Sequence, residues 1–239
     1  MVVLIPTPPS KLLWAAELPR ALWMAATWWR GLPRLRDAPR AGRGEAVLLL
    51  PGMFNAERSN LLLERYLRRL GYRVRGWGLG RNFGARTAGA EGERLLIELE
   101  AFAREAGPVT LVGVSLGGMM ARLAAHRRPD LVRAVVTISS PFAGDPRATN
   151  VWRAFELLTG ERLDDPAVRA RSALIARPLP VPSTAIWSAS DGLVAGAICR
   201  GEACRSVEVR SGHLWVQMRP EVLRAVADAL AADQSSFAA

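Results

Sequence analysis

The sequence predicts an α/β fold, with helices flanking a mostly parallel central sheet. Short apolar runs rich in β-branched residues alternate along the chain with longer stretches of helical periodicity. This alternation is typical of βαβ units. The length of 239 residues and the hydrophobic content of 50% suffice for one domain with one large core.

The elements follow one another in a regular order. In the first helix after the first strand, Ser59 is a suitable N-cap, Gly71 is a suitable stop, and the leucines between them share one face, which indicates core packing. Strands are predicted at 45–50, 72–77, 109–114, 133–138, 183–188 and 206–209. Helices are predicted at 59–70, 92–106, 117–128, 151–158, 166–175 and 220–231.

A serine stands where the third predicted strand meets the next helix, in Gly113-Val114-Ser115-Leu116-Gly117. In such a tight turn the serine has a strained backbone and an exposed hydroxyl, and the two glycines provide room for the turn. This pattern is typical of a nucleophile elbow. Ser115 is therefore the candidate nucleophile.

A nucleophilic serine needs a base, and the chain has two histidines. His126 lies eleven residues after Ser115 on the same predicted helix, which places it about 16 Å away along a rigid rod. We therefore interpret His126 as a solvated residue at a helix end. His213 follows the last predicted strand and is the candidate base.

The third member of such a site is a carboxylate that orients the imidazole. Asp191 follows the fifth predicted strand and opens an Asp-Gly turn, which by itself is equally compatible with a structural role. The chain order of Ser115, Asp191 and His213 is the order that this type of elbow uses, and it favours Asp191 as the acid. The weaker rivals are Asp145, Asp164 and Asp165.

Two backbone amides are needed to stabilise the negative charge on an attacked carbonyl. The amide of Leu116 lies at the start of the elbow helix. The turn Pro51-Gly52-Met53-Phe54 leaves the first strand, and its Met53 amide is the second candidate. We also expect Phe54 to contact the substrate.

Together these residues resemble the α/β-hydrolase superfamily, in particular its small bacterial esterase and lipase-like members, over about residues 45–232. The resemblance implies a Ser115-Asp191-His213 triad, oxyanion amides at Met53 and Leu116, and an acyl-enzyme mechanism without a cofactor or metal. One difference concerns the oxyanion turn, where many members have His-Gly and this chain has Pro51-Gly52.

The segment at about 141–182 lies between the fourth and fifth strands, and its length indicates a function. We expect a small helical cap on a hydrolase domain that spans 45–239. Trp152 and Phe155 either line the acyl pocket or attach the cap to the body. The loop at 81–84 either contacts substrate or is an ordinary turn.

The first 44 residues differ from the rest, because Trp14, Trp23, Trp28 and Trp29 precede a run of arginines. One interpretation is an interfacial helix that binds anionic headgroups. The interpretation that we favour is a helical extension, from about 11 to 32, that packs on the hydrolase body and hides its tryptophans there. The segment has the pattern of neither a signal peptide nor a membrane span.

The net charge of +10 comes almost entirely from arginine and is not accompanied by a nucleic-acid-binding motif, so we expect no nucleic-acid partner. Cys199 and Cys204 are expected to be free thiols, because no export signal accompanies them. They do not make a metal site. A cytoplasmic protein with possible peripheral membrane contact fits these features.

Two classes of function follow. The first is a serine hydrolase acting on short to medium acyl esters, including lipids, whose machinery would also serve an acyltransferase or thioesterase. The second is a catalytically silent domain that binds a membrane or a partner through its N-terminal segment. The complete triad favours the first.

Overall fold

The computed structural model describes residues 7–38, 40–201 and 203–236, with side chains up to residue 232. The central sheet is parallel throughout and has six strands in the order β2-β1-β3-β4-β5-β6. The strands are β1 Ala46–Leu50, β2 Arg73–Gly76, β3 Val109–Val114, β4 Val132–Ile138, β5 Ser183–Trp187 and β6 Arg205–Glu208. The predicted fold class is confirmed.

Helices cover both faces of this sheet. Side chains of Val47 and Leu49 enter one apolar core, while those of Leu48 and Leu50 enter the other, so β1 is buried on both sides as expected for a central parallel strand. The helices are α1 Lys11–Ala15, α2 Glu17–Thr27, α3 Leu32–Arg36, α4 Leu61–Arg69, α5 Ala85–Ala88, α6 Glu93–Ala106, α7 Leu116–Arg127, α8 Trp152–Thr159, α9 Pro166–Ala176 and α10 Pro220–Ser236.

Predicted and observed elements differ mainly at their ends. A short 3₁₀ turn, Glu57–Asn60, precedes α4, so Ser59 is not the N-cap that its side chain suggested. The Ser59 hydroxyl instead donates to the carbonyl of Ala56. The short helix α5 was not predicted, because four residues are too few to show a period.

The N-terminal segment, residues 7–38, is not one helix but three short helices and a 3₁₀ turn at Trp28–Gly31. It packs on the body: the indole of Trp28 donates to the carbonyl of Met218 at 2.7 Å, and Leu35 is buried in the core beside α10. The expectation that this segment hides its tryptophans is wrong for three of the four. Trp14, Trp23 and Trp29 are 51%, 67% and 63% exposed.

The segment between β4 and β5 carries α8 and α9, which are separated by a break at Gly160, where φ is 73°. Buried Arg122 on α7 donates to the carbonyls of Ile175 and Arg177, which ties the end of α9 to the body. Within the described ranges, every helix is too short or too polar to cross a membrane.

Candidate active site

The carboxyl ends of the parallel strands meet at one edge of the sheet. The chain leaves β1 toward β2 on one side and returns through β3 on the other, so the strand order reverses between β1 and β3. In open α/β sheets such a reversal leaves a crevice where ligands bind. The turn after β1 and the elbow after β3 both open into this crevice.

Ser115 occupies the turn between β3 and α7 with φ 50° and ψ −117°, a conformation that costs energy for any residue with a side chain. The flanking glycines explain how the turn closes. A Cβ at Gly113 would lie 2.4 Å from the carbonyl oxygen of Gly117. A Cβ at Gly117 would lie 2.5 Å from the carbonyl oxygen of Leu50 on β1.

Three side chains from distant parts of the sequence form a continuous hydrogen-bonded chain. His213 Nε2 lies 3.2 Å from Ser115 Oγ, and His213 Nδ1 lies 2.8 Å from Asp191 Oδ2. The second oxygen of Asp191 accepts hydrogen bonds from the amides of Leu193 and Val194, each at 2.9 Å. Asp191 is buried, and both oxygens of its carboxylate are hydrogen-bonded.

The environment of His213 favours its protonated form. Burial opposes the charge on the imidazole, but the negative charge of Asp191, its hydrogen bond, and the negative charge of Glu17 outweigh burial, so the pKa of His213 is raised above its ordinary value. An imidazole that is readily protonated next to a hydroxyl is suited to accepting its proton.

The turn after β1 lies against Ser115. A Cβ at Gly52 would lie 3.6 Å from the Cβ of Ser115. Within the described part of the chain, neither the Met53 amide nor the Leu116 amide donates to another residue, so both remain available to a ligand. Phe54 is held at φ 67° in the same turn.

An apolar cavity extends from Ser115 beneath the segment that carries α8 and α9. Trp152 and Phe155 line it, as does Met53. Phe54, which we expected to contact the substrate, does not line this cavity. It is 40% exposed, and its ring packs edge-on against that of Phe83 with the ring centroids 5.5 Å apart. The cavity lining also includes an ion pair between Glu161 and Arg171.

Comparisons with known proteins agree with the fold. A family model described as "alpha/beta hydrolase fold" matches residues 105–176, which run from the end of α6 through β3, the elbow and β4 to the end of α9. Est1E from Butyrivibrio proteoclasticus superposes with a TM-score of 0.60 at 15% identity, covering 84% of this chain and 91% of the other. This chain has the α/β-hydrolase fold.

Two further solved structures have the same architecture. The monoacylglycerol lipase of Paleococcus ferrophilus matches with a TM-score of 0.56 at 17% identity, over 80% of this chain and 96% of the other. The metagenome-derived lipolytic enzymes LipS and LipT are represented by a structure with a TM-score of 0.59 at 16% identity, over 80% of this chain and 95% of the other. Among curated proteins, none matches the sequence.

The three rival carboxylates lie away from the hydrogen-bonded chain of Ser115, His213 and Asp191. The carboxylate of Asp145 accepts from the amide of Arg147, and Asp164 pairs with Arg147 and Arg169. Asp165 instead caps α9 by accepting from the amide of Ala167. Among the described contacts, none of the three forms a hydrogen bond to Ser115, His213 or Asp191.

His126 is distant from this hydrogen-bonded chain but is not solvated as we expected. It is half-buried, and burial, together with the nearby positive charge of Arg122, lowers the pKa of His126. The last turn of α7 lies under the end of α9, which the sequence did not indicate. Cys199 and Cys204 are both free thiols, and burial raises the pKa of Cys199 well above its ordinary value.

The sequence analysis did not identify the roles of two residues at the site, Asn82 and Glu17. Asn82 is fully buried; its side chain donates to the carbonyl of Pro51 at 2.7 Å, and its backbone carbonyl accepts from the amide of Phe54 at 2.8 Å. The loop at 81–84 therefore holds the turn after β1. Glu17, on α2, contacts the loops that carry Asp191 and His213. In the sequence, only Gly192 and Gly212, the neighbours of Asp191 and His213, indicate that another segment packs closely against these loops.

Proposed function

We propose that this protein is a serine hydrolase that cleaves carboxylic esters with short to medium acyl chains through an acyl-enzyme intermediate. The observation that carries the proposal is the hydrogen-bonded chain from Ser115 through His213 to Asp191 at one end of an apolar cavity. The names of two structural neighbours, a monoacylglycerol lipase and a lipolytic enzyme, support the same class of reaction.

The geometry supports a two-step reaction. Ser115 Oγ attacks the acyl carbon while its proton passes to His213 Nε2, and Asp191 stabilises the resulting imidazolium. The proton then passes from His213 to the leaving alkoxide, which departs as an alcohol and leaves the acyl group on Ser115. Water attacks the acyl-enzyme with His213 again as the base, and the acid is released.

The carbonyl oxygen gains negative charge at each attack. The amides of Met53 and Leu116 are the proposed donors to it, since both lie beside Ser115 and neither is used elsewhere among the described contacts. Donors held in place before the reaction cost no reorganisation when the charge develops. Asn82 keeps the Met53 turn in position, because it bonds to Pro51, two residues before Met53, and to Phe54, the residue after it.

The cavity indicates what the acyl group is like. Its lining is largely aliphatic and aromatic, and Trp152 and Phe155 of α8 form part of its wall. An apolar acyl chain would be buried there with little polar surface left unpaired. The polar alcohol part of the ester would then lie on the open side, and the site itself does not select it strongly.

A fluorophosphonate probe tests the nucleophile directly, because it phosphonylates an activated serine. We expect intact-mass analysis to find one label on the wild type and none on Ser115→Ala. The folded state of the variant is checked by its melting temperature, which should match the wild type. A wild type that takes no label, or a Ser115→Ala variant that does, would contradict the proposal.

Rates across p-nitrophenyl esters of increasing chain length test the substrate class. We expect kcat/KM to rise from acetate to medium chains and to fall for long ones, because the cavity accepts only a limited apolar length. The same chain-length series of acyl thioesters tests for a thioesterase. Faster turnover of thioesters than of esters with the same acyl group would replace the ester assignment.

A further inference from the structure

The inner face of α2 carries a buried carboxylate. Glu17, Ala21 and Met24 are its buried residues, spaced as one face of a helix. Glu17 is only 3% exposed. A carboxylate is costly to bury unless several donors satisfy it, so its partners indicate why it is there.

Those partners are the loops of the proposed acid and base. Glu17 Oε1 accepts a hydrogen bond from the amide of Gly192 at 2.7 Å. Glu17 Oε2 accepts from the amides of His213 at 2.7 Å and Leu214 at 3.0 Å. One side chain thus joins the residue after Asp191 to His213 itself, across sequence separations of 175 and 196 residues.

The two loops are shaped to receive this segment. A Cβ at Gly212 would lie 2.6 Å from Glu17 Oε2, and a Cβ at Gly192 would lie 2.4 Å from the carbonyl oxygen of Leu13. Each glycine is the immediate neighbour of a proposed catalytic residue. The close approach is therefore possible only because these two positions lack a side chain.

Further contacts of the same segment support this role. Arg20, one turn after Glu17, donates to the carbonyl of Ser190 at 2.8 Å and lies 3.8 Å from Glu17 Oε1. The charged groups nearest His213 are Asp191 and Glu17, and the positive charges around Glu17 are Arg20 and Arg219.

We infer that Glu17 is a positioning residue of the active site, which holds Asp191 and His213 in register and whose charge stabilises the imidazolium. The inference rests on the proposed hydrolase function. On this basis the inner face of α2 supports the active site, while the rest of the N-terminal segment takes no part in catalysis.

Glu17→Gln tests both parts of the role, because it removes the charge and replaces one accepting oxygen by an amide nitrogen that cannot accept. We expect kcat to fall by about 10²-fold, as for a small displacement of a catalytic group, with KM nearly unchanged. The acid limb of kcat/KM against pH should move to lower pH, since the imidazolium loses a stabilising charge. A purely structural residue would lower the melting temperature without moving that limb.

Two further variants sharpen the result. Glu17→Asp keeps the charge but shortens the side chain, so it should lower kcat while leaving the acid limb near the wild-type position, and it replaces the Gln variant if that does not fold. Glu45→Gln is the matched control, because Glu45 also accepts a backbone amide, that of Arg43, at the opposite end of β1. It should behave as wild type.

The outcome separates this inference from the proposed function. A wild type that hydrolyses no ester and takes no fluorophosphonate label refutes the function. An active wild type whose Glu17→Gln variant keeps its kcat and its pH profile refutes the role of Glu17. If Glu17→Asp is the variant measured, an unchanged kcat refutes it.

The outer side of α2 and of the 3₁₀ turn that follows it supports a second, independent inference. Between residues 18 and 29, every exposed side chain is apolar; the larger ones, Leu18, Leu22, Trp23 and Trp29, are 54% to 67% exposed. We call these four residues the outer apolar face. An exposed apolar patch that no part of the described chain covers indicates an interaction surface.

Positive charge accompanies this outer apolar face. The guanidinium of Arg30 lies 5.5 Å from the centroid of the Trp29 ring, and Arg34, Arg36, Arg40 and Arg43 follow as exposed residues. Tryptophan is favoured at the boundary between headgroups and acyl chains, and arginine is attracted to anionic lipid. A bilayer surface matches both chemistries at once.

We therefore propose, as a second inference, that the outer apolar face docks on an anionic lipid surface with α2 lying in its plane. The attached segment contacts the chain beside the cavity, because Lys11 and the carbonyl of Pro9 bind Asn150, whose two neighbours in the sequence line the cavity. Docking would thus bring the proposed ester hydrolase to a surface rich in acyl esters.

Co-sedimentation of the full-length protein with vesicles tests the docking. We expect binding to phosphatidylcholine vesicles that contain phosphatidylglycerol, weaker binding at high salt, and little binding to phosphatidylcholine alone. Combined Leu18→Gln, Leu22→Gln and Trp29→Gln should abolish it without changing turnover of a soluble ester. Ile97→Gln is the control, because Ile97 is a 64% exposed residue of α6 outside this face, and it should bind as wild type.

Several results would overturn the docking proposal. A wild type that does not sediment with the anionic vesicles excludes it, as does a triple variant that still binds like wild type. Sedimentation velocity that gives a dimer, dissociated by the triple variant, would assign the face to a second copy of the chain.

Discussion

The two halves of the candidate site are held in place by different parts of the molecule. The elbow at Ser115 is fixed by its immediate surroundings: two glycines against backbone, β3 before it, α7 after it, and the hydrogen bond from the Ser115 amide to Ile138 on the neighbouring strand. The loops of Asp191 and His213 are instead joined to each other by Glu17, from the other end of the sequence.

This difference indicates how each half responds to change. The elbow is embedded in the buried sheet, so disturbing it disturbs the core. The loops of Asp191 and His213 depend on a few hydrogen bonds to the carboxylate of Glu17. These loops can therefore shift while the core stays intact. Substitutions near Asp191 and His213 should therefore lower activity with little loss of stability. Substitutions in the elbow at Ser115 should lower both.

The largest effect is expected from the proposed base. His213→Ala should lower kcat/KM by roughly 10⁴-fold or more, because no other group can accept the proton of Ser115. His126→Ala is the control and should remain within a few-fold of wild type, since α7 carries it away from the site. Comparable losses in both variants would show that His213 is not the base.

Removing residues 1–37 is expected to have the next largest effect, and to lower stability as well as activity. The deletion takes away Glu17 together with the buried Leu35 and the half-buried Trp28, and it uncovers part of the core beside α10. We expect kcat to fall at least as far as in Glu17→Gln and the melting temperature to drop by more than about 5 °C. A truncated protein that melts and turns over like the full chain would contradict this.

A pair of glycine substitutions contrasts the two halves directly. Gly117→Ala forces a Cβ against backbone oxygens of β1, so both the melting temperature and the activity should fall. Gly212→Ala meets the movable ends of Glu17 and Arg20, so we expect a loss of about tenfold in kcat with a nearly unchanged melting temperature.

The Gly212 result has its own internal check. In a Glu17→Ala background, Gly212→Ala should cost less than it does alone, because the group that it displaces is already gone. Independent, additive losses would mean that the two residues do not act on the same loop.

The smallest effect concerns the wild-type pH profile. Because the pKa of His213 is raised and the base must be neutral to accept a proton, the acid limb of kcat/KM should have its midpoint above the ordinary histidine value of about 6.5. A midpoint below that value would mean that the carboxylates of Asp191 and Glu17 do not lie close to His213 in solution.

The sequence by itself determined the features that depend on neighbouring residues. Strand and helix periodicity predicted the parallel sheet, and the glycines around Ser115 predicted the elbow, because a tight turn needs its small residues at fixed positions along the chain. With two histidines to choose from, the rigid length of α7 left His213 as the only base within reach of Ser115.

The tertiary structure alone decided what depends on distant segments meeting. The N-terminal residues showed helical and apolar character, but not that Glu17 would turn inward to His213 while Trp23 and Trp29 faced outward. Asn82 and the placement of Phe54 outside the cavity were equally hidden. Periodicity shows that a helix has two faces, whereas the partner of each face depends on contacts across nearly the whole chain.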